Sequence, residues 1–127
     1  MLNSKHEIDG FGIKRWRNEQ GLLHREDGPA VEDIRCYNNM ITEYRAWFIN
    51  GQCHRENGPA VEYTNGDKEW RLHGQLHRLD GPADERANGI KRWFIDGIFY
   101  KNYLEFCFDV ISITLFHEKQ HKNIYTI

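Results

Sequence analysis

The sequence predicts a mainly β protein: antiparallel stacked β-hairpin repeats closed by a C-terminal helix. Three observations carry that prediction. The pattern H-R-x-[DN]-G-P-A occurs three times, at residues 24–30, 54–60 and 77–83. Trp16, Trp47, Trp70 and Trp93 keep step with it, the last three at intervals of 23 residues. Asn-Gly, His-Gly and Asp-Gly pairs punctuate the intervals between β-forming runs. A period of about 20–50 residues marks supersecondary units that bury their apolar faces only by stacking on one another.

The 127 residues suit one domain, with hairpin units over 9–100 and a helical cap over 101–127. Each unit reads as a strand carrying the Trp, a tight turn, a strand ending in His-Arg, the Gly-Pro-Ala corner, and a returning strand. The turns at Asn50-Gly51, His73-Gly74 and Asp96-Gly97, and those at Asn65-Gly66 and Asn88-Gly89, are hairpin signals in which the central residues take positive φ. A two-residue loop at Asn50-Gly51 sets Ile49 opposite Gln52, Phe48 opposite Cys53 and Trp47 opposite His54. The same spacing sets Trp70 against His77 and Trp93 against Tyr100. A ring thus recurs opposite the Trp, a cross-strand pair worth about 0.2–1 kcal/mol. Cys53 fills the slot of Leu23, Leu76 and Phe99, so it reads as a small core residue rather than a nucleophile.

Reversal of the chain at Gly-Pro brings Arg25 to Glu32, Arg55 to Glu62 and Arg78 to Glu85, a ladder of ion pairs at a constant separation of seven. Proline is disfavoured at the third position of a type I turn, so the corner is expected to be wide rather than to hold a cis bond. One unit is longer: Pro29 to Trp47 spans 18 residues, whereas Pro59 to Trp70 and Pro82 to Trp93 each span 11. The extra residues predict a long hairpin over 31–46 turning at Asn38-Asn39. Insertions of this kind often form the binding face.

After Gly97 the pattern stops. Asn102 and Glu105 form a capping box, and a helix from 103 to about 121 follows, with Leu104, Cys107, Phe108, Ile111 and Leu115 expected in its buried face, covering the last unit. The β-branched run 110–114 also suits a strand.

Hydrophobic residues make up 39% of the chain and aromatics 13%, so a few large rings must carry much of the burial. A net charge of −2 opposes bulk nucleic-acid or acidic-membrane binding. Basic residues beside the tryptophans (Lys14, Arg15, Arg17, Arg45, Lys91, Arg92) read as the polar face of a sheet, not as a single-strand nucleic-acid surface. Cys36, Cys53 and Cys107 show no pairing pattern, and the N-terminus lacks the apolar stretch of a secretory signal. A cytoplasmic protein with reduced thiols is expected, and an oligomer is compatible with the sequence.

The 23-residue period, the turn glycines and the ringed strand resemble MORN-type repeats, which are β-hairpin units stacked into an elongated sheet. The HR-x-[DN]-GPA version is similar to a MORN-related variant of phage and large-virus proteins, over about residues 9–100. The Y-x-G-x-W spacing of MORN units is absent, since Asp67-Lys68-Glu69 separate Gly66 from Trp70. The resemblance implies a scaffold or binding role with no catalytic residues, and, for a virus-encoded chain, a modulator or inhibitor of a host protein.

His117-Glu118-Lys119-Gln120-His121 spells H-E-x-x-H, in which two histidines one helical turn apart hold zinc and the Glu acts as base. Polar residues between the histidines and the short tail after them point instead to a solvated helix end. No P-loop, dinucleotide fingerprint or nucleophile elbow occurs. The leading expectation is therefore a non-enzymatic protein-interaction module without cofactor or metal. It would present Tyr37, Asn38, Asn39 and Tyr44 of the long hairpin to a protein partner. The alternative is a binder of a small, nucleotide-like anion through Arg25, Arg55 and Arg78 with His24, His54 and His77. A zinc hydrolase is third.

Overall fold

The tight turns set the path of the chain. Asn38 and Asn39 hold φ of 49° and 60°, and Asn50, His73 and Asp96 hold 48°, 51° and 49°, each of these three followed by a glycine near 80°. Two successive left-handed residues make the loop whose twist matches paired strands. At 65–66 and 88–89 only the glycine is left-handed. Gly66 N–H donates to the Tyr63 carbonyl and Gly89 N–H to that of Arg86, which makes these three-residue loops rather than the two-residue loops expected.

A computed structural model describes the backbone of residues 5–125 and the side chains of 5–120. The strands are β1 (Lys5–Ile8), β2 (Lys14–Arg17), β3 (Val31–Tyr37), β4 (Met40–Ala46), β5 (Phe48–Ile49), β6 (Gln52–Cys53), β7 (Val61–Tyr63), β8 (Lys68–Glu69), β9 (Arg71–Leu72), β10 (Gln75–Leu76), β11 (Asp84–Glu85), β12 (Lys91–Ile95) and β13 (Ile98–Tyr100); α1 (Tyr103–Tyr125) follows. The fold is mainly β and antiparallel, with one C-terminal helix. The main sheet runs β1-β2-β3-β4-β7-β8-β11-β12-β13, while β5-β6 and β9-β10 form two small ribbons. The chain therefore leaves the main sheet at Trp47, makes a short hairpin, turns the Gly-Pro-Ala corner and re-enters at Val61.

The expected register holds: Phe48 faces Cys53, Ile49 faces Gln52, and Trp93 faces Tyr100. His54 and His77 donate their peptide N–H to the carbonyls of Trp47 (2.9 Å) and Trp70 (3.0 Å). All peptide bonds among the described residues are trans, so the corners are wide. Ala30, Ala60 and Ala83 are fully buried there. Each donates its N–H to the next strand, at Ala46, Glu69 and Arg92 respectively, and accepts from the N–H of Trp16, Trp47 and Trp70 at 2.7–2.8 Å.

The core follows one row across the main sheet. Arg15 pairs with Val31, Val31 with Ala46, Ala46 with Val61, Val61 with Glu69, Glu69 with Asp84, and Asp84 with Arg92. Its middle is apolar: Val31, Ala46 and Val61 cluster with Ile13, and Leu23, Tyr44, Phe48 and Cys53 pack against them. Burial pushes the Cys53 thiol up to about 11, which suits the small core residue expected.

The helix forms where expected, with Asn102 as N-cap accepting the Leu104 N–H at 2.9 Å; among the described residues the return bond from Glu105 that would complete a capping box is not made. Its burial differs from the expectation. Leu104, Phe108, Ile111 and Leu115 are at least half exposed and Cys107 is half-buried, whereas Phe106 is 3% exposed. The helix is apolar on two faces, so periodicity alone could not choose between them. The docked face is fixed by Tyr103 against Trp93 (5.4 Å between rings), Phe106 against Tyr100 (5.8 Å), and the Tyr100 hydroxyl donating to Asp109 at 2.5 Å. The first two turns thus cover the last strands. Residues 1–4, 126 and 127 of the expected domain and cap lie outside the described residues.

A Cβ added to Gly81 would meet the Cζ of Arg78 at 2.7 Å, against 3.2 Å between Gly58 and Arg55. Both arginines are pinned by several partners, so neither swings away freely. Gly81→Ala should lower stability by about 1–2 kcal/mol in urea titration, and Gly58→Ala by clearly less. Equal costs would mean that the arginine gives way at both corners.

Candidate functional site

The residues of the Arg/His ladder do not converge on one site. Arg25, His54 and Arg55 line one groove, Arg55, His77 and Arg78 a second, His24 is buried outside both, and each is already engaged. The guanidinium of Arg25 lies over the ring of Trp16 at 4.0 Å, and those of Arg55 and Arg78 lie over Trp47 and Trp70 at 3.9 Å. Each Nη1 donates to the proline carbonyl of its own corner, at 3.0–3.1 Å. The same atom donates to the glutamate seven residues on, Glu32 at 3.3 Å and Glu62 and Glu85 at 3.2 Å. The Nε of Arg25 and of Arg78 also donates to Asp27 and Asp80. Arg55 has Asn57 in that place. The ion-pair ladder is therefore present, and the tryptophan completes it.

The histidines differ from the expectation. Their rings do not stack on the opposing tryptophans; instead Nδ1 accepts a peptide N–H from the following turn. Asn50 N–H donates to His24, His73 N–H to His54, and Asp96 N–H to His77, all at 3.0 Å. The peptides of all three histidines stay bonded to the carbonyls of Trp16, Trp47 and Trp70, while the rings reach the following turn. Each His thereby fixes its Nδ1 as acceptor and ties one hairpin to the next. His24, with 3% exposed, has a buried Nε2 that lies 3.7 Å from Glu26.

Between successive corners run two open grooves. One, of about 740 Å³, lies between the 25–29 corner and Trp47, His54 and Arg55. The other, of about 520 Å³, lies between the 55–59 corner and Trp70, His77 and Arg78. An anion entering either would meet arginines whose flat faces and Nη1 donors are committed, beside Glu26, Asp27 and Glu56 or Asp80. These partners give the ladder a structural role first.

The long hairpin reaches beyond the sheet. Val31 and Glu32 pair with β2, and Tyr44, Arg45 and Ala46 pair with β7. The register continues from Ile34↔Glu43 through Arg35↔Thr42 and Cys36↔Ile41 to Tyr37↔Met40, closing at Asn38-Asn39. Tyr37 is 74% exposed, Met40 69% and Ile41 66%, with Ile34 also exposed. Tyr44 separates from this group. It lies within the sheet, packs against the core cluster and sits 5.0 Å from the ring of Tyr63. Burial pushes its hydroxyl up to about 12, with Tyr63 adding to the shift. Tyr37, Asn38 and Asn39 therefore stand at the tip while Tyr44 supports its base. Ile34, Met40 and Ile41, overlooked in the sequence, join this surface: Ile34 and Ile41 stand on one face of the ribbon, and Met40 with Tyr37 on the other.

A second feature overlooked is ionic. Asp84, 1% exposed, occupies the slot that Val31 and Val61 fill after their Gly-Pro-Ala corners. Arg92 Nη2 contacts its Oδ2 at 2.7 Å. Arg86 Nε lies 2.7 Å from its Oδ1, close enough for charge pairing but misaligned for a directed hydrogen bond. Arg86 also meets Glu69 at 3.0 Å and Asp67 at 3.6 Å, and Arg71 meets Glu69 at 2.8 Å. Three acids face three arginines, so the cluster is neutral. The break from GPA-Val to GPA-Asp was the signal in the sequence.

His117 and Glu118 lie exposed on α1, and the side chain of His121 lies outside the described residues. Among the described residues no group of three His, Cys, Asp or Glu is placed to hold a metal ion. No helix of the described residues is long and apolar enough to cross a membrane.

No family model, curated protein or solved structure matches the chain.

Asp84→Ala should cost about 1–2 kcal/mol in chemical denaturation, because Arg86 and Arg92 lose a counter-charge but are themselves partly open to water. Asp84→Val combined with Arg86→Ala and Arg92→Ala removes the buried acid together with the two arginines that meet it, leaves Glu69 paired with Arg71, and should recover stability to within about 1 kcal/mol of wild type. A triple variant as unstable as the single one would show that the ionic cluster is needed in itself.

Proposed function

We propose that the protein is a non-enzymatic protein-interaction module that engages its partner through the tip of the β3–β4 hairpin. The observation that carries this reading is the exposure of Ile34, Tyr37, Met40 and Ile41 together, four large apolar side chains on a ribbon that outreaches its neighbouring strands. Apolar surface of this kind, left in water by a chain that could bury it, marks an interaction site. The ribbon is held at its base by the paired strands and by Tyr44, so it is ordered before it binds and little entropy is lost on docking. A partner that fits offers an apolar cleft about one β-ribbon wide. The polar asparagines at the apex, fixed in the left-handed region, would lie at its rim.

Tyr37→Ala with Met40→Ala should abolish retention of the partner while leaving the melting temperature within about 2 °C of wild type, since both side chains lie in solvent. The comparison is affinity capture with wild-type and variant chains, read by mass spectrometry. A protein held by the wild type and lost from the variant supports the reading. Partners retained equally by both chains would overturn it.

A further inference from the structure

The helix raises a question that the hairpin does not answer. Leu104, Phe108, Ile111 and Leu115 are 66%, 69%, 55% and 50% exposed. Their spacing of four, three and four residues places them within about 60° of one another on the helix surface. Phe106, which anchors the helix on the sheet, points roughly to the opposite side. A helix with apolar stripes on two opposite faces leaves a contiguous apolar patch in water unless both are covered. The sheet covers one of them, through Tyr103, Phe106 and Asp109.

We propose that the second stripe is the docking site of another copy of this chain, helix against helix in antiparallel orientation, forming a two-fold symmetric dimer. The spacing argues for this occupant. Four-three-four reads the same in both directions, so an antiparallel copy sets Leu104 level with Leu115 of the second copy, and Phe108 level with its Ile111. That is the self-complementarity a two-fold interface requires. The spacing is also the alternating step of a coiled-coil seam, where each apolar side chain fits between those of the facing helix. The four stripe side chains, each at least half exposed, form a continuous seam over about three turns of the helix. The charges do not oppose contact, since the stripe itself carries none and Glu118 and Lys119 lie on either side of it.

The test is sedimentation of the full chain from about 1 to 100 µM, a range that brackets a micromolar dimer. The expected species is a dimer of 15.2 kDa chains. Phe108→Glu with Ile111→Glu should weaken association by roughly 100-fold or more, because like charges then face each other across the interface. Both positions are solvent-exposed within one chain, so the β signal in circular dichroism and the tryptophan emission should stay unchanged. A second pair guards against misfolding. Phe108→Glu chains mixed with Ile111→Lys chains should dimerise more tightly than either alone, since the two new charges lie level only in the antiparallel arrangement. A wild-type chain that stays monomeric overturns the proposal, whether or not it then floats with phosphatidylcholine–phosphatidylserine vesicles. A dimer unaffected by the double glutamate, or a mixture no tighter than its components, overturns it as well.

Discussion

Each corner of the fold depends on one arginine laid flat on a tryptophan. The contact at about 4 Å satisfies the face of the guanidinium, and the proline carbonyl and the glutamate satisfy its edge. Such a stack contributes about 0.5–2 kcal/mol, rising as water is excluded, and the charged hydrogen bonds add to it. More important is what the arrangement positions. The glycine is favoured because the guanidinium lies 2.7–3.2 Å from where a Cβ would stand, and the alanine is fully buried with its peptide bonded to strands on both sides. The histidine then reaches the next turn. The tryptophan face, the proline carbonyl and the glutamate meet at one arginine, so a change at any of them removes one of its several contacts.

This dependence explains how so small a core suffices. The buried apolar cluster consists of Ile13, Val31, Ala46 and Val61, with half-buried side chains around it. Corner contacts and inter-unit peptide hydrogen bonds supply the rest of the ordering. Toward the C-terminal end the apolar row gives way to Glu69, Asp84 and Arg92, whose charges match one another but cost desolvation. Stability is expected to be graded along the sheet, with the Val31–Val61 region the most resistant to local opening. The long hairpin rises from that firmest region, which suits an element that must hold its shape outside the sheet.

Much of this was legible in the residues. The hairpin turns, the facing of Phe48 and Cys53, the arginine–glutamate separation of seven and the reversal at Asn38-Asn39 all follow from turn chemistry and counting. The stacking of Arg55 on Trp47 was not found, because the two are eight residues apart and meet only once the corner is folded. The histidine rings escape counting for a related reason: the backbone pairs with Trp47 and Trp70 form as predicted, but Nδ1 of His54 and of His77 finds its partner in a peptide N–H 19 residues on, in the next turn. In the helix, apolar residues on opposite faces gave two equivalent choices, and Phe106 rather than Leu104 proved to be the anchor. The hairpin tip was located correctly as a segment, but Tyr44 belongs to the base and Ile34, Met40 and Ile41 to the exposed surface. Exposure depends on which neighbouring strands stop short, and no local pattern records that.

A double-mutant cycle between Arg55 and Trp47, using Arg55→Gln and Trp47→Leu, tests the central claim most directly. Each single change should destabilise the protein, and the pair should cost less than the sum by about 1 kcal/mol or more, as for two side chains whose contact is itself stabilising. Additive losses would mean that the arginine and the tryptophan act independently, and that the corner is held by its peptide hydrogen bonds alone.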